Sequence, residues 1–300
     1  MIYKDNRNKQ AVFDWAIDLA ASCFKRVPMI IHYHRMLGDP DDDGWGSVPA
    51  DADALIKKAI DRGFSLRHDA FGMHGYYQDW EKEMAAKWNF KRPIIMEGGW
   101  ITGAHHRYWL DPSGLYREGH AEDVRRGEFD SAMEARVNMM DFRINDETRS
   151  WFEESFPLVK RFVAEGGYRL YPSHVTAQNK ARSGSKVTVR TRWQNMGWGY
   201  CPTNIPQWNQ KYKVGIALLG ADGHPVKVTV DSSSDLSTWL REAPAEYDTG
   251  IDLTGVAPGT YRWAVALVDT TKGNTPALQM AVDPTLHIGG WLPAGEIRIK

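Results

Sequence analysis

Near Gly166 and Gly167 the apolar spacing of this 300-residue chain changes from helical segments separated by short continuous runs to strict alternation. No single layer of secondary structure accommodates both patterns, so the chain divides into two domains, residues 1–166 and 167–300.

Before the break, Phe13, Ile17, Ala20 and Phe24 recur at helical spacing and precede the compact run Val27 to Ile31. Ala52, Leu55, Ile56, Ala59 and Ile60 repeat the pattern, with Gly63 as a helix stop and Phe64 to Asp69 as a second strand. Trp80, Met84 and Trp88 mark a third helix, and Ile94 to Met96, bounded by Glu97, Gly98 and Gly99, a third strand. A long loop leads to a helical stretch from about Ala121, a fourth strand across Val137 to Phe142, and an amphipathic segment from Glu147 to Glu165 interrupted by Pro157. Strands alternating with helices predict a parallel sheet. Four such units fill about 165 residues, whereas a closed eight-unit barrel takes about 250. The expected fold is therefore α/β, the C-terminal half of a (β/α)8 TIM-type barrel, with the N-terminal half-barrel missing from this chain. A half barrel leaves two strand edges and an unclosed interior, so a homodimer or pairing with that missing half is the expected association.

After the break, Val187, Val189, Thr191 and Trp193 alternate with polar residues, as do Tyr261, Trp263, Val265 and Leu267. Turns such as Ala221-Asp222-Gly223 and Ala257-Pro258-Gly259 separate about seven or eight such runs, which predicts an antiparallel β-sandwich whose strands bury one face each.

The charges nearly cancel, 37 basic against 38 acidic for a net of -1. No field gathers phosphate backbones or anionic lipid, so neither nucleic acid nor membrane is an expected partner. No apolar run approaches the roughly 18 residues of a membrane span, and the polar segment after Met1 is unlike a secretory signal. Location stays open: extracellular or periplasmic if a longer protein carries a signal. Cys23 and Cys201 fall in different domains, so neither a disulfide framework nor a thiolate metal site is indicated.

Parallel barrels place their active sites at the C-terminal ends of the strands, and here those ends are polar. The first offers His32 to Arg35, the second Arg67, His68 and Asp69, the third Glu97 and Trp100, the fourth Asn138, Asp141 and Arg143. A carboxylate that directly follows Ile94-Ile95-Met96 either faces the barrel mouth or is a structural group paired with an arginine or a backbone amide. Glu97 is therefore the leading catalytic candidate. Asp69 ends the neighbouring strand, about 4.8 Å away, and two carboxylates within reach of one sugar are what glycoside cleavage requires. Pairing with Arg67, or orienting a substrate hydroxyl, is the other role open to Asp69.

His34, Arg67, His68, His105 and Asn138 are expected to bind substrate hydroxyls, and Trp45, Tyr76 and Trp100, in Gly-containing loops after strand ends, to stack on sugar rings. The chain is rich in such rings, with 13 Trp, 12 Tyr and 10 Phe, most of which core packing accounts for. His32 and His34 share a strand face, but no HExxH pattern or Cys cluster accompanies them, so no metal and no cofactor is expected.

Taken together, Leu66-Arg67-His68-Asp69-Ala70-Phe71-Gly72, Pro93-Ile94-Ile95-Met96-Glu97-Gly98-Gly99-Trp100, Gly167-Tyr168-Arg169 and Trp193-Gln194-Asn195-Met196-Gly197 resemble an uncharacterised family of bacterial proteins regarded as glycoside hydrolases. In that family the barrel is split between two successive domains of unknown function, the second carrying the last barrel strands and a β-sandwich. The resemblance runs from about Val27 to Lys300. It implies that the four strands are the fifth to eighth of a barrel and that Glu97 ends the seventh, where related retaining glycosidases carry the nucleophile. The acid/base residue of that clan, on the fourth strand, has no counterpart in this chain. Two functions follow as expectations: a glycoside hydrolase acting on a poly- or oligosaccharide with Glu97 as nucleophile, or a non-catalytic carbohydrate-binding module.

Overall fold

The structure is a computed structural model, and it describes residues 9–33, 49–72, 77–99 and 121–300. The chain is mixed α/β and forms two compact units, Met1–Gly167 with Asn204–Gln207, and Tyr168–Thr203 with Trp208–Lys300.

In the first unit helices and strands alternate: α1 (Lys9–Cys23), β1 (Met29–His32), α2 (Pro49–Asp61), β2 (Phe64–His68), α3 (Asp79–Trp88), β3 (Ile94–Glu97), α4 (Ala121–Glu134), β4 (Met139–Asp141), α5 (Asn145–Glu153) and α6 (Phe156–Glu165). Local chemistry sets the boundaries. Past the end of α2, Gly63 takes φ 90°, a conformation that costs glycine little. At the start of α3, Glu81 Oε2 accepts from the backbone N–H of Gln78 at 2.7 Å. Pro157 does not kink one long helix. It lies in the first turn of α6, where its missing N–H is tolerated, so the amphipathic stretch is two helices.

The four strands are parallel and stand in the order β1-β2-β3-β4. Each crossover moves one strand in the same direction, and right-handed crossovers of that kind put every helix on one face of the sheet. Met29, Ile31 and Phe64 pack on that face against Ile17 and Ala59. The opposite face carries Ile30 and His32, Ser65 and Arg67, Ile95 and Glu97, and Met139 and Asp141, as the register and the two-residue pleat require. Its inner strands are well covered, but on the edge strands Ile30 is 45% exposed and Met139 50%.

The second unit is all-β. Strands β10 (Ala245–Asp252), β7 (Lys186–Asn195) and β5 (Leu170–Thr176) form one antiparallel sheet. The other runs β6 (Lys180–Ala181), β13 (Leu292–Ile299), β11 (Gly259–Asp269), β8 (Tyr212–Leu219), β9 (Pro225–Asp231), with β12 (Thr275–Leu278) paired to β11. Strand β7 alternates as its sequence predicts, burying Val187, Val189, Thr191 and Trp193. Val187, Val189 and Trp193 meet Ile216, Leu218, Trp263 and Val265 of the other sheet in one shared core.

Strand β11 departs from the expectation of a single buried face. Trp263 to Asp269 are all buried, because Ala264, Ala266 and Val268 join a second cluster covered by Trp291 and partly buried Val228. The Trp- and Gly-rich stretch after β7 is packing, with Trp193, Trp198 and Tyr200 buried. Asn195 organises it: its Oδ1 accepts from the N–H groups of Arg169 at 2.8 Å and Gly197 at 2.9 Å, and its Nδ2 donates to the carbonyls of Gly199 and Trp239. Cys23 is exposed and Cys201 buried, and both are free thiols. No helix among the described residues is long and apolar enough to cross a membrane.

Candidate active site

At the C-terminal ends of β2, β3 and β4 five charged side chains converge: Arg67, Asp69, Glu97, Asp141 and Arg143. Register explains part of this. Glu97 stands opposite Asp141, and Arg67 is opposite Ile95, two residues before Glu97 on the same face. Arg67 forms an ion pair with Glu97 through Nη2, and the same nitrogen lies 3.4 Å from Asp141 Oδ2. Backbone turns supply the rest. Arg143 takes φ 62°, sparsely populated for a non-glycine residue, and its N–H donates to Asp141 Oδ1 at 2.9 Å. Its guanidinium then reaches Asp69 Oδ1 at 2.8 Å and Glu97 Oε1 at 3.5 Å.

Both carboxylates thus approach one nitrogen, at 2.8 and 3.5 Å, so those two oxygens are at most about 6.3 Å apart, close enough for one sugar to meet both. Asp69 is held from behind as well: its N–H donates to His32 Nε2 at 3.0 Å. The loop after it, with Ala70 at φ 46°, is tied to β3 where Phe71 N–H donates to the Glu97 carbonyl at 3.1 Å.

Glu97 is 9% exposed. Burial pushes its carboxyl pKa above the ordinary value and the Asp69 charge adds to the rise, while Arg67 and Arg143 pull it back without cancelling it. The arginine that Glu97 meets on β2 is Arg67. Arg92, just before β3, instead donates to the carbonyls of Ile60 and Lys91.

The residues expected from sequence separate into three groups. Glu97, Asp69 and Arg67 come together. His68 does not join them. It alternates with Arg67 on β2, is fully buried, and lies with Nε2 2.8 Å from Glu81 Oε1 and its ring against Tyr33 and Phe71. Asn138 does not join them either. It precedes β4, and its N–H donates to the Ile94 carbonyl at the start of β3, the end of the sheet away from Glu97. His34, Trp45, Tyr76, Trp100 and His105 lie outside the described residues. Among the described residues no group of three or more His, Cys, Asp or Glu is placed to hold a metal ion.

A second ionic assembly lies just behind the site. Arg125, on α4 and fully buried, reaches Glu128 Oε2 at 2.7 Å and Glu147 Oε2 at 2.6 Å, and sits 4.9 Å from the Trp151 ring centroid. In sequence, Arg125 and Glu128 read as an ordinary i,i+3 surface pair.

No protein-family model matches the chain, and no curated protein matches it. Three solved structures illustrate its distant likenesses. The CARDB domain of a Pyrococcus furiosus protein is 13% identical over 44% of this chain and 89% of its own, with a TM-score of 0.26. An endo-beta-1,4-mannanase from Thermotoga petrophila is 9% identical over 86% of this chain and 45% of its own, TM-score 0.21. A beta-glucosidase from Listeria innocua is 9% identical over 84% and 39%, TM-score 0.24. The chain thus spans less than half the length of the two enzymes, and likenesses this distant carry no activity over to it.

Proposed function

We propose that the chain is the glycosidase-site half of a glycoside hydrolase, with the first unit supplying four strands of a (β/α)8 barrel and the second a β-sandwich. The fold reading rests on three features. The strand order is sequential with no reversal, unlike a doubly wound sheet. The right-handed crossovers place the described helices on one face of the sheet. Finally, among the described residues of the first unit the large apolar side chains left in solvent belong to its first and last elements: Val12, Trp15, Leu19, Phe24, Val27 and Ile30 at or before β1, and Met139, Ile144, Phe152, Phe156 and Val163 from β4 onward. Four further α/β units would cover both ends.

One observation carries the functional reading: Glu97 and Asp69 meet a single Arg143 nitrogen at the C-terminal ends of the strands. In this reading Glu97, ionised and held by Arg67 and Arg143, attacks the anomeric carbon, and Asp69 orients the sugar. The acid that protonates the departing oxygen comes from the strands that complete the barrel. A reversed assignment, Glu97 as the acid and Asp69 as the nucleophile, is favoured by the burial that raises the Glu97 pKa.

The pH profile of an activated aryl glycoside separates the two. A nucleophilic Glu97 must be ionised, so turnover is lost as pH falls through its raised pKa; an acidic Glu97 must be protonated, so turnover is lost as pH rises through it. Wild-type protein that binds glycans without turning any over would establish a binding module instead.

A further inference from the structure

We infer that Arg125 is a positioning residue for Glu97, acting through the backbone of Gly98 and Gly99. Both polar groups of Gly99 are held by one buried ion pair. Its carbonyl accepts from Arg125 Nη1 at 3.0 Å, its N–H donates to Glu128 Oε1, and the two side chains bond each other at 2.7 Å. The guanidinium cannot swing away, because Ser150 Oγ accepts from Nη2 at 2.9 Å and from Nε at 3.1 Å, while Glu147 takes Nη2 at 2.6 Å.

Gly98 is wedged between this assembly and β4. Its N–H donates to the Asp141 carbonyl at 2.8 Å, and a Cβ there would stand 3.0 Å from Trp151 Nε1 and 3.2 Å from Arg125 Nη1. The two residues that follow Glu97 are thus fixed from both sides, by Arg125, Glu128 and the Asp141 carbonyl, which do not touch its carboxylate, and by a longer contact from Arg143 Nη1, which does, to the Gly98 carbonyl at 3.4 Å. That Glu97 is thereby kept in reach of Arg67 and Arg143 is geometry; that this serves glycoside cleavage rests on the function proposed above.

Arg125→Lys keeps the charge and loses the fork. The control is Ala132→Gly, a buried site on the same helix outside the clamp. Readouts are urea midpoint, hydrogen exchange at the Gly99 amide, and carbon-13 titration of the Glu97 carboxyl. In Arg125→Lys, Gly99 exchange should rise about 10-fold or more over other protected amides, and the Glu97 pKa should fall toward its ordinary value; Ala132→Gly should do neither. If Arg125→Lys does not fold, Gly98→Ala crowds the same guanidinium without removing charge and should shift the Glu97 titration likewise. A Glu97 titration unmoved in the folded variant, or moved equally by Ala132→Gly, overturns the inference. None of these readouts needs substrate, so they stand if Glu97→Gln leaves turnover unchanged and only the glycosidase reading fails. Where turnover is present, kcat should fall about 10- to 100-fold with KM steady, the signature of a misplaced group.

Discussion

Two ionic assemblies lie a few residues apart in the first unit, and they differ in what surrounds their charges. Around Arg125 every charged partner is buried, and the guanidinium is used up by Glu128, Glu147, Ser150 and the Gly99 carbonyl. Around Glu97 the charges are shared among several partners: three carboxylates divide two guanidinium groups, and Arg67 and Asp141 keep access to solvent. A buried set tied to the chain on all sides has one arrangement and holds the backbone. A partly open set has room for a reacting group. The same residue types therefore serve a scaffold in one place and a candidate reaction centre in the other.

The widest gap should appear in turnover. Glu97→Gln should lower hydrolysis of an activated aryl glycoside by about 1000-fold or more, with azide restoring part of it if Glu97 is the nucleophile; unchanged rates would erase the distinction between the assemblies. Stability should show the opposite ranking. Arg125→Met strands two buried carboxylates and should cost about 3 to 5 kcal/mol in urea unfolding. Arg67→Met should cost only about 1 kcal/mol, because its site is partly open. Comparable losses would make the Glu97 cluster a second scaffold.

A finer test follows from the sign of the Glu97 shift. Its folded pKa lies above the ordinary 4.5, so the native state binds this proton more tightly than the unfolded chain, and the group's contribution to stability declines as pH rises from about 4.5 through the folded pKa. Glu97→Gln should thus be as stable as wild type at pH 4 and slightly more stable at pH 7. Neutralising Glu97 strands no cation, since Arg67 keeps Asp141 and Arg143 keeps Asp69. A loss of stability at pH 7 would show that Glu97 is a structural partner of Arg67. The smallest effect belongs to the exposed pair Arg190 and Asp248 of the second unit, bonded at 2.7 and 2.8 Å: Asp248→Asn should leave the unfolding midpoint unchanged.

How far the sequence carried this picture depends on how local each cause is. Runs such as Ile94 to Met96 announced their strands because a short apolar stretch bounded by polar and Gly residues has few other fates, and Glu97 at its end was legible for the same reason. Asp69 and Arg67 were legible as strand-end residues, but their partners were not: Arg143 arrives through a left-handed turn that no residue preference at that position announces. Treating Val137 as the start of β4 brought Asn138 into the site, whereas pairing begins at Met139 and leaves Asn138 at the far end. His68 was misread because adjacent residues on a strand cannot share a face, so a site that takes Arg67 excludes it. Arg125 escaped altogether, since its surroundings come from α5 and the turn after β3 rather than from its neighbours in sequence.

The strand order carries a kinetic consequence. In the first unit each strand pairs with the next one along the chain, as in Met29 with Phe64, Leu66 with Ile94 and Ile95 with Met139, so no pairing spans more than one crossover and the sheet can grow stepwise. In the second unit Lys180 and Ala181 pair in parallel with Arg298 and Ile299, a closure across roughly 120 residues whose entropy must be met before the edge exists. Refolding should therefore show the helical signal recovering ahead of the β signal, with the slowest phase belonging to the strand that brings Arg298 home.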